Sequence, residues 1–220
     1  MARTRIKYCG LTRPEDLELC GQLGIDAVGF VFHPKSKRAV AAKEVKSWLQ
    51  HRPALTHTVF LFMDPDAAQV HTVLDQVQPD YLQFHGRESA DFCAAFGLPY
   101  IKALPMGNPE QAAAFQADHA GRAAFWLADS HGGAHASGGS GHRFDWAQIP
   151  ELPAQSLIAG GLRIDNVGEL IRTHHPWGID LSSGIEEHPG IKSARKMVDF
   201  AAAVRLADAA VNTPVNETSS

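Results

Sequence analysis

"RIKYCGLTRPEDLELCGQLGIDAVGFVF", residues 5–32, runs from one short apolar segment through a helix-like one into a second apolar segment. The flanking runs, "RIKYC" and "AVGFVF", are β-rich without strict alternation, as strands are when both faces are covered. Between them Thr12 is the candidate N-cap and Pro14 falls in the first helical turn. The stretch therefore reads as strand, helix, strand. An open doubly wound sheet of the dinucleotide-binding type would need GxGxxG after the first strand, and "YCGLTRPED" does not supply it.

Outward from this unit the pattern recurs. "HTVFLF", "YLQFH", "YIKAL", "AFWLA", "SLIAG" and "GIDLSS" bring the candidate strands to eight, with helix-like segments between them; one such segment starts where Asp64 precedes Pro65. Eight βα units predict a single (β/α)8 TIM barrel over residues 1–206. The polar, aperiodic residues 207–220 read as a frayed tail, and the connection from about Ser130 to Pro153 is too irregular for a full helix. A chain of 220 residues, 45% hydrophobic and 20% charged, suits one domain with a full core. Its net charge of -4 lacks the basic excess of a nucleic-acid binder. No signal-peptide h-region or membrane-length apolar run is present, so a cytoplasmic protein is expected. Cys9, Cys20 and Cys93 are scattered without CxxC spacing, which indicates neither a disulfide scaffold nor structural zinc. Outward apolar residues on barrel helices serve packing and dimerisation alike, so no oligomeric state follows.

In such barrels catalytic groups gather at the C-terminal ends of the strands. Three kinds of chemistry stand there. The small residues Gly160 and Gly161 after strand seven, and Ser182, Ser183 and Gly184 after strand eight, suit either tight turns or a phosphate cradle of backbone N–H groups. Alternation puts Lys7 and Cys9 on the inward face of strand one, where Lys7 is expected to pair with Asp180 of strand eight and to lower the thiol pKa. The alternative is a buried, inert Cys9, the reading given to Cys20 and Cys93. Asp129 is either a general acid or a turn-capping carboxylate. If it is an acid, the glycine-rich stretch behind it is a lid; His131, His135 and His142 within that stretch offer no rigid face for a metal. Near strand two, Lys35, Lys37 and Arg38 form either a solvated cluster or a site where Arg38 grips a carboxylate. Gln83 and His85 share one face of strand four and suit substrate hydrogen bonds, although His85 reads equally as a core histidine.

In order along the chain, "KYCGLTRPED", "GFVFHPKSKR", "YLQFHG", "LADS", "GGSGHRFDW", "IAGGLRIDNV" and "DLSSGIEEHPGIKS" resemble the motifs of the phosphoribosylanthranilate isomerase family of tryptophan biosynthesis. The likeness runs from about Ile6 to about Phe200. It implies a cofactor-free, metal-free Amadori rearrangement of the small-molecule substrate phosphoribosylanthranilate, with no nucleic-acid or membrane partner. It also implies Cys9 as general base, Asp129 as general acid, Arg38 on the substrate carboxylate, and the loops around Gly160, Gly161, Ser183 and Gly184 on the phosphate. Tyr8, Lys37 and Ser193 depart from the family's usual residues; Tyr8 points away from the site by strand alternation, and Lys37 leaves Arg38 in place. The related isomerase of histidine biosynthesis would carry an aspartate where Cys9 stands, and a silent phosphate-binding barrel would need neither Cys9 nor Asp129.

Overall fold

The computed structural model describes residues 3–129 and 152–212. Eight parallel strands close into a barrel in chain order: β1 (Arg5–Cys9), β2 (Ala27–Val31), β3 (His57–Phe62), β4 (Tyr81–Phe84), β5 (Tyr100–Pro105), β6 (Phe125–Asp129), β7 (Ser156–Ala159) and β8 (Gly178–Leu181). The circle is completed where β8 pairs with β1, with Lys7 directly opposite Asp180. Helices α1 (Pro14–Gln22), α2 (Ala42–Leu49), α3 (Ala67–Leu74), α4 (Ala90–Ala94), α5 (Pro109–Asp118), α6 (Val167–His174) and α7 (Ala194–Asn212) occupy the connections and the C-terminal segment. After β8 comes a single 3-10 turn, Ser183–Ile185, then a hairpin of β9 (Glu186–His188) and β10 (Ile191–Lys192). Residues 130–151, which include the expected lid and His131, His135 and His142, lie outside the described residues.

The apolar strands serve two cores. Val59, Ile101, Ala103, Leu127, Leu157 and Ala159 fill the barrel interior. Their neighbours along the strands, among them Val28, Phe30, Phe60, Leu82, Phe84 and Ile179, belong instead to the layer that also holds helix residues Leu17, Val45, Val70, Leu170 and Phe200. Each large side chain fully buried there stabilises by roughly 1.5–3 kcal/mol. Tyr8 belongs to this outer layer, and its hydroxyl donates to the Met197 carbonyl at 2.7 Å.

Three local expectations are corrected. Arg13, not Thr12, is the residue before α1; the Thr12 hydroxyl donates instead to the Gly190 carbonyl at 2.5 Å. Asp66, not Asp64, caps α3, accepting from Gln69 N at 2.7 Å, while Asp64 sits at φ +45° and accepts from Arg87 N. The C-terminal helix continues to Asn212 rather than fraying from residue 207, because Ala207 is buried and Asp208 accepts from both Thr4 N and Thr4 Oγ1, at 2.9 and 2.7 Å. Among the described residues, no helix is long and apolar enough to cross a membrane.

Candidate active site

The C-terminal strand ends converge on one mouth. Cys9 closes β1 and Lys7 lies one pleat below it, its Nζ donating to Asp180 Oδ1 at 2.7 Å across the β1–β8 seam. Gly29, opposite Cys9 on β2, makes the room: a Cβ there would lie 2.8 Å from Cys9 Sγ and 3.3 Å from Lys7 Nζ. Burial works against the Lys7 charge, but Asp180 and Cys9 outweigh it and hold the ammonium above its ordinary value. Burial likewise dominates at Cys9 and pushes the thiol up; Lys7 draws it down and Asp180 opposes that. This corrects the expectation that Lys7 would leave a depressed thiol. Attraction to one ammonium, itself shared with a carboxylate, does not offset desolvation.

Across the mouth, Asp129 ends β6, and its Oδ2 lies 2.9 Å from His85 Nε2. His85 Nδ1 lies 3.4 Å from the Gln83 amide nitrogen. His85 is therefore neither a backbone-bonded core histidine nor an isolated group: it sits on the candidate acid. Gln83 is fully buried, with its Oε1 unpartnered among the described residues, so its reach to the mouth passes through His85. The Gln83–His85–Asp129 chain allows two proton arrangements. With Nδ1 accepting from the Gln83 amide, Nε2 carries the proton and donates to a carboxylate; with Nδ1 protonated it accepts from a neutral carboxyl, which requires the Gln83 amide turned so that Oε1, otherwise unpartnered, accepts from Nδ1.

The loop carrying His85 is anchored by a buried pair absent from the sequence-based expectations. Lys102 of β5 donates to Glu88 Oε2 at 2.7 Å and to the Gly86 carbonyl at 2.6 Å, while Glu88 Oε1 accepts from Asp64 N at 2.8 Å. Also unforeseen are Glu186 and Lys192. Glu186 takes a two-pronged contact from Arg38, Nε to Oε1 at 2.6 Å and Nη2 to Oε2 at 2.8 Å, and accepts from Lys192 Nζ at 3.0 Å. A Glu before a Pro-Gly turn and a Lys after it was the available signal.

After β7, Gly160 and Gly161 adopt φ of +93° and +63°, a conformation that side-chain-bearing residues resist, and Asn166 Nδ2 holds the Gly161 carbonyl at 2.9 Å. Ser182, Ser183 and Gly184 follow β8 beside them, close enough that a Cβ on Gly184 would collide with the Leu162 carbonyl. Lys35 and Lys37 lie in the same loop as Arg38, without a hydrogen bond or ion pair among the described residues. Among the described residues, no three metal-ligating side chains come together.

A closed parallel barrel with a thiol and a carboxyl on separate strands at its C-terminal mouth belongs to the class of α/β-barrel enzymes that move protons. Within that class the chain matches the N-(5'-phosphoribosyl)anthranilate (PRA) isomerases over residues 6–203. It is 46% identical over 213 residues to the N-(5'-phosphoribosyl)anthranilate isomerase of Xanthomonas euvesicatoria pv. vesicatoria, covering 94% of this chain and 95% of that one. The crystal structure of phosphoribosyl anthranilate isomerase from Thermus thermophilus superposes with a TM-score of 0.78 at 32% identity, covering 92% of this chain and 99% of that one. A phosphoribosyl anthranilate isomerase in complex with reduced 1-(o-carboxyphenylamino)-1-deoxyribulose 5-phosphate superposes at 0.73 with 27% identity, covering 92% and 98%. The chain belongs to the N-(5'-phosphoribosyl)anthranilate isomerase family.

Proposed function

We propose that this barrel converts N-(5'-phosphoribosyl)anthranilate to 1-(2-carboxyphenylamino)-1-deoxyribulose 5-phosphate, the third step of tryptophan synthesis from chorismate, with Asp129 as general acid and Cys9 as general base. The carrying observation is the pair of groups facing one mouth from β1 and β6, the thiol above the Lys7–Asp180 pair and the carboxyl on His85. The cytoplasm, where a soluble biosynthetic enzyme meets its substrate, is the compartment this reading assigns.

The substrate dictates the order of events. Neutral Asp129 protonates the furanose oxygen, the C1'–O bond breaks, and the anilino nitrogen becomes an iminium. That cation raises the acidity of C2', and the Cys9 thiolate takes the C2' proton to leave an enolamine. Return of a proton from the thiol to C1', with transfer of the enol proton to Asp129, yields the ketone and restores both groups. Ring opening and tautomerisation are each driven by a proton transfer, and no electrons are gained or lost. Burial pushes the Cys9 thiol up, so it yields its proton to solvent reluctantly in the free protein; the thiolate is the form that reacts, and the iminium adds the positive charge that favours it beside Lys7.

Arg38 holds the substrate carboxylate in this reading, and the backbones at Gly160, Gly161, Ser182, Ser183 and Gly184 hold the phosphate. The test is loss of phosphoribosylanthranilate fluorescence, with the labile substrate generated in situ and no metal added. Cys9→Ala and Asp129→Asn are expected to lower kcat by at least about 10²-fold, and Arg38→Ala to act chiefly on KM. A folded wild type without activity overturns the reading, and near-normal turnover in either variant removes that residue from its role.

A further inference from the structure

Arg38 has a guarded approach to the mouth. Its stem crosses Gly10, which sits at φ +73°, where a Cβ would lie 2.5 Å from Arg38 Cδ. Its guanidinium is already half committed, with Nε and one N–H of Nη2 on the two oxygens of Glu186. A guanidinium carries five N–H groups in two forks, one along the Nε–Nη2 edge and one across Nη1 and Nη2. Glu186 occupies the first. Nη1 makes no hydrogen bond among the described residues, so the second fork is left intact.

Glu186 would cancel the positive charge of Arg38 if it stood alone. It does not, because Lys192, 1% exposed, places Nζ 3.0 Å from Glu186 Oε1. Two cationic side chains then share one carboxylate at the subsite, although burial draws the Lys192 ammonium below its ordinary value. Lys192 Nζ also donates to the Ser182 carbonyl at 3.1 Å, so the pair is fastened to the loop after β8. A clasp holding the β9–β10 hairpin to the barrel would need one cation on Glu186. The second cation, packed against Gly10 and near enough to Cys9 to feel its charge, keeps an open fork, which is what a carboxylate-binding device needs.

We propose that Glu186, with its charge balanced by Lys192, is a positioning residue that fixes the Nε edge of Arg38 and presents the Nη1–Nη2 fork to the aromatic carboxylate of the substrate. The inference rests on the reading of Arg38 as the carboxylate ligand. The pair acts through orientation and net charge, without touching the substrate. It would act on recognition of the carboxylate more than on the proton transfers.

Two inhibitors separate these roles: reduced 1-(2-carboxyphenylamino)-1-deoxyribulose 5-phosphate and its phenylamino counterpart lacking the carboxylate. The quantity read is the ratio of their inhibition constants. Wild type should favour the carboxylate form, and Arg38→Ala should erase that preference. Glu186→Gln removes a negative charge beside Arg38 but releases its Nε edge; the lost orientation should outweigh the added positive charge and lower the preference about ten-fold, while moving the inhibition constant of the carboxylate-free analogue less than about two-fold. In an Arg38→Ala background, Glu186→Gln should change the ratio no further. If Glu186→Gln does not fold, Lys192→Gln gives the same reading, since it removes the balancing charge and should also lower the preference. Preference retained in Arg38→Ala overturns the underlying reading of Arg38. Preference lost there but kept in folded Glu186→Gln or Lys192→Gln overturns the proposal. Equal weakening of both inhibitors also overturns it, because it marks the pair as a purely structural clasp.

Discussion

Cys9 shows how one residue's chemistry is decided by neighbours the linear chain does not rank. Lys7 lies two residues away and lowers the thiol pKa, yet burial dominates and the net direction is upward. Cys20 and Cys93 are each pushed up to about 12, chiefly by burial, even though Lys192 draws the first down and Lys102 the second. Alkylation proceeds through the thiolate, so a raised pKa leaves a small reactive fraction at neutral pH that grows about ten-fold per pH unit below the pKa. Iodoacetamide should therefore label Cys9 slowly at neutral pH and progressively faster toward alkaline pH. Lys7→Met should slow the labelling further, and Cys20 and Cys93 should react only on unfolding. Peptide mass spectrometry after timed labelling reads all three. A Cys9 rate that does not change with pH would mean a thiol already ionised at rest, and the role given to the iminium charge would then be unnecessary.

At the scale of elements, the loops after β3 and β4 are joined by Glu88, which accepts from Asp64 N at 2.8 Å and from Gly86 N at 3.2 Å while paired with Lys102. Both members of the pair are buried. Breaking such a pair from one side costs roughly 3–5 kcal/mol because a buried charge is left uncompensated, whereas removing both charges costs much less. Lys102→Met should accordingly lower the urea midpoint strongly, and Lys102→Met with Glu88→Gln should recover part of the loss. Simple addition of the two single effects would show that the residues act independently. This pair was hidden in the sequence for a physical reason. Lys102 sits within the apolar run "YIKAL", where nothing local announces its partner, and Glu88 lies in a loop 14 residues away. The eight strands were legible because their runs are apolar on both faces, and Lys7 with Asp180 because alternation fixes the inward face. Glu186 and Lys192 were not, since "EEHPGIK" carries no period that separates a short hairpin from a loop. Thr12 misled because hydroxyl residues are common N-caps, and here a tertiary contact, the Gly190 carbonyl, claims the hydroxyl.

The whole molecule divides its labour between two rims. The candidate site lies at the C-terminal strand ends, while the opposite rim carries aspartates that accept from the second residues of β1 and β3: Asp26 from Ile6 N at 2.8 Å and Asp80 from Thr58 N at 2.7 Å. Asp208 does the same for Thr4 from the far end of the chain, joining residues 204 apart in sequence at the seam where β1 meets β8. Closure of a barrel is cooperative, because opening one seam exposes the edges of two strands. A chain ending at Leu206 loses that contact and the buried Ala207, and should be less stable by roughly 2 kcal/mol or more, the loss of two hydrogen bonds to a charged group plus apolar burial. Its kcat and KM at 25 °C should stay close to those of the full chain, since the described residues it removes, 207–212, belong to the last turns of α7 and none of them is among the residues placed at the catalytic mouth. Thermal unfolding and steady-state kinetics on the two forms test the division directly. A lowered melting temperature with unchanged kinetics is the expected result. Unchanged melting with impaired turnover would instead show that the seam is felt at the other mouth, with the Lys7–Asp180 pair across that seam as the route to Cys9.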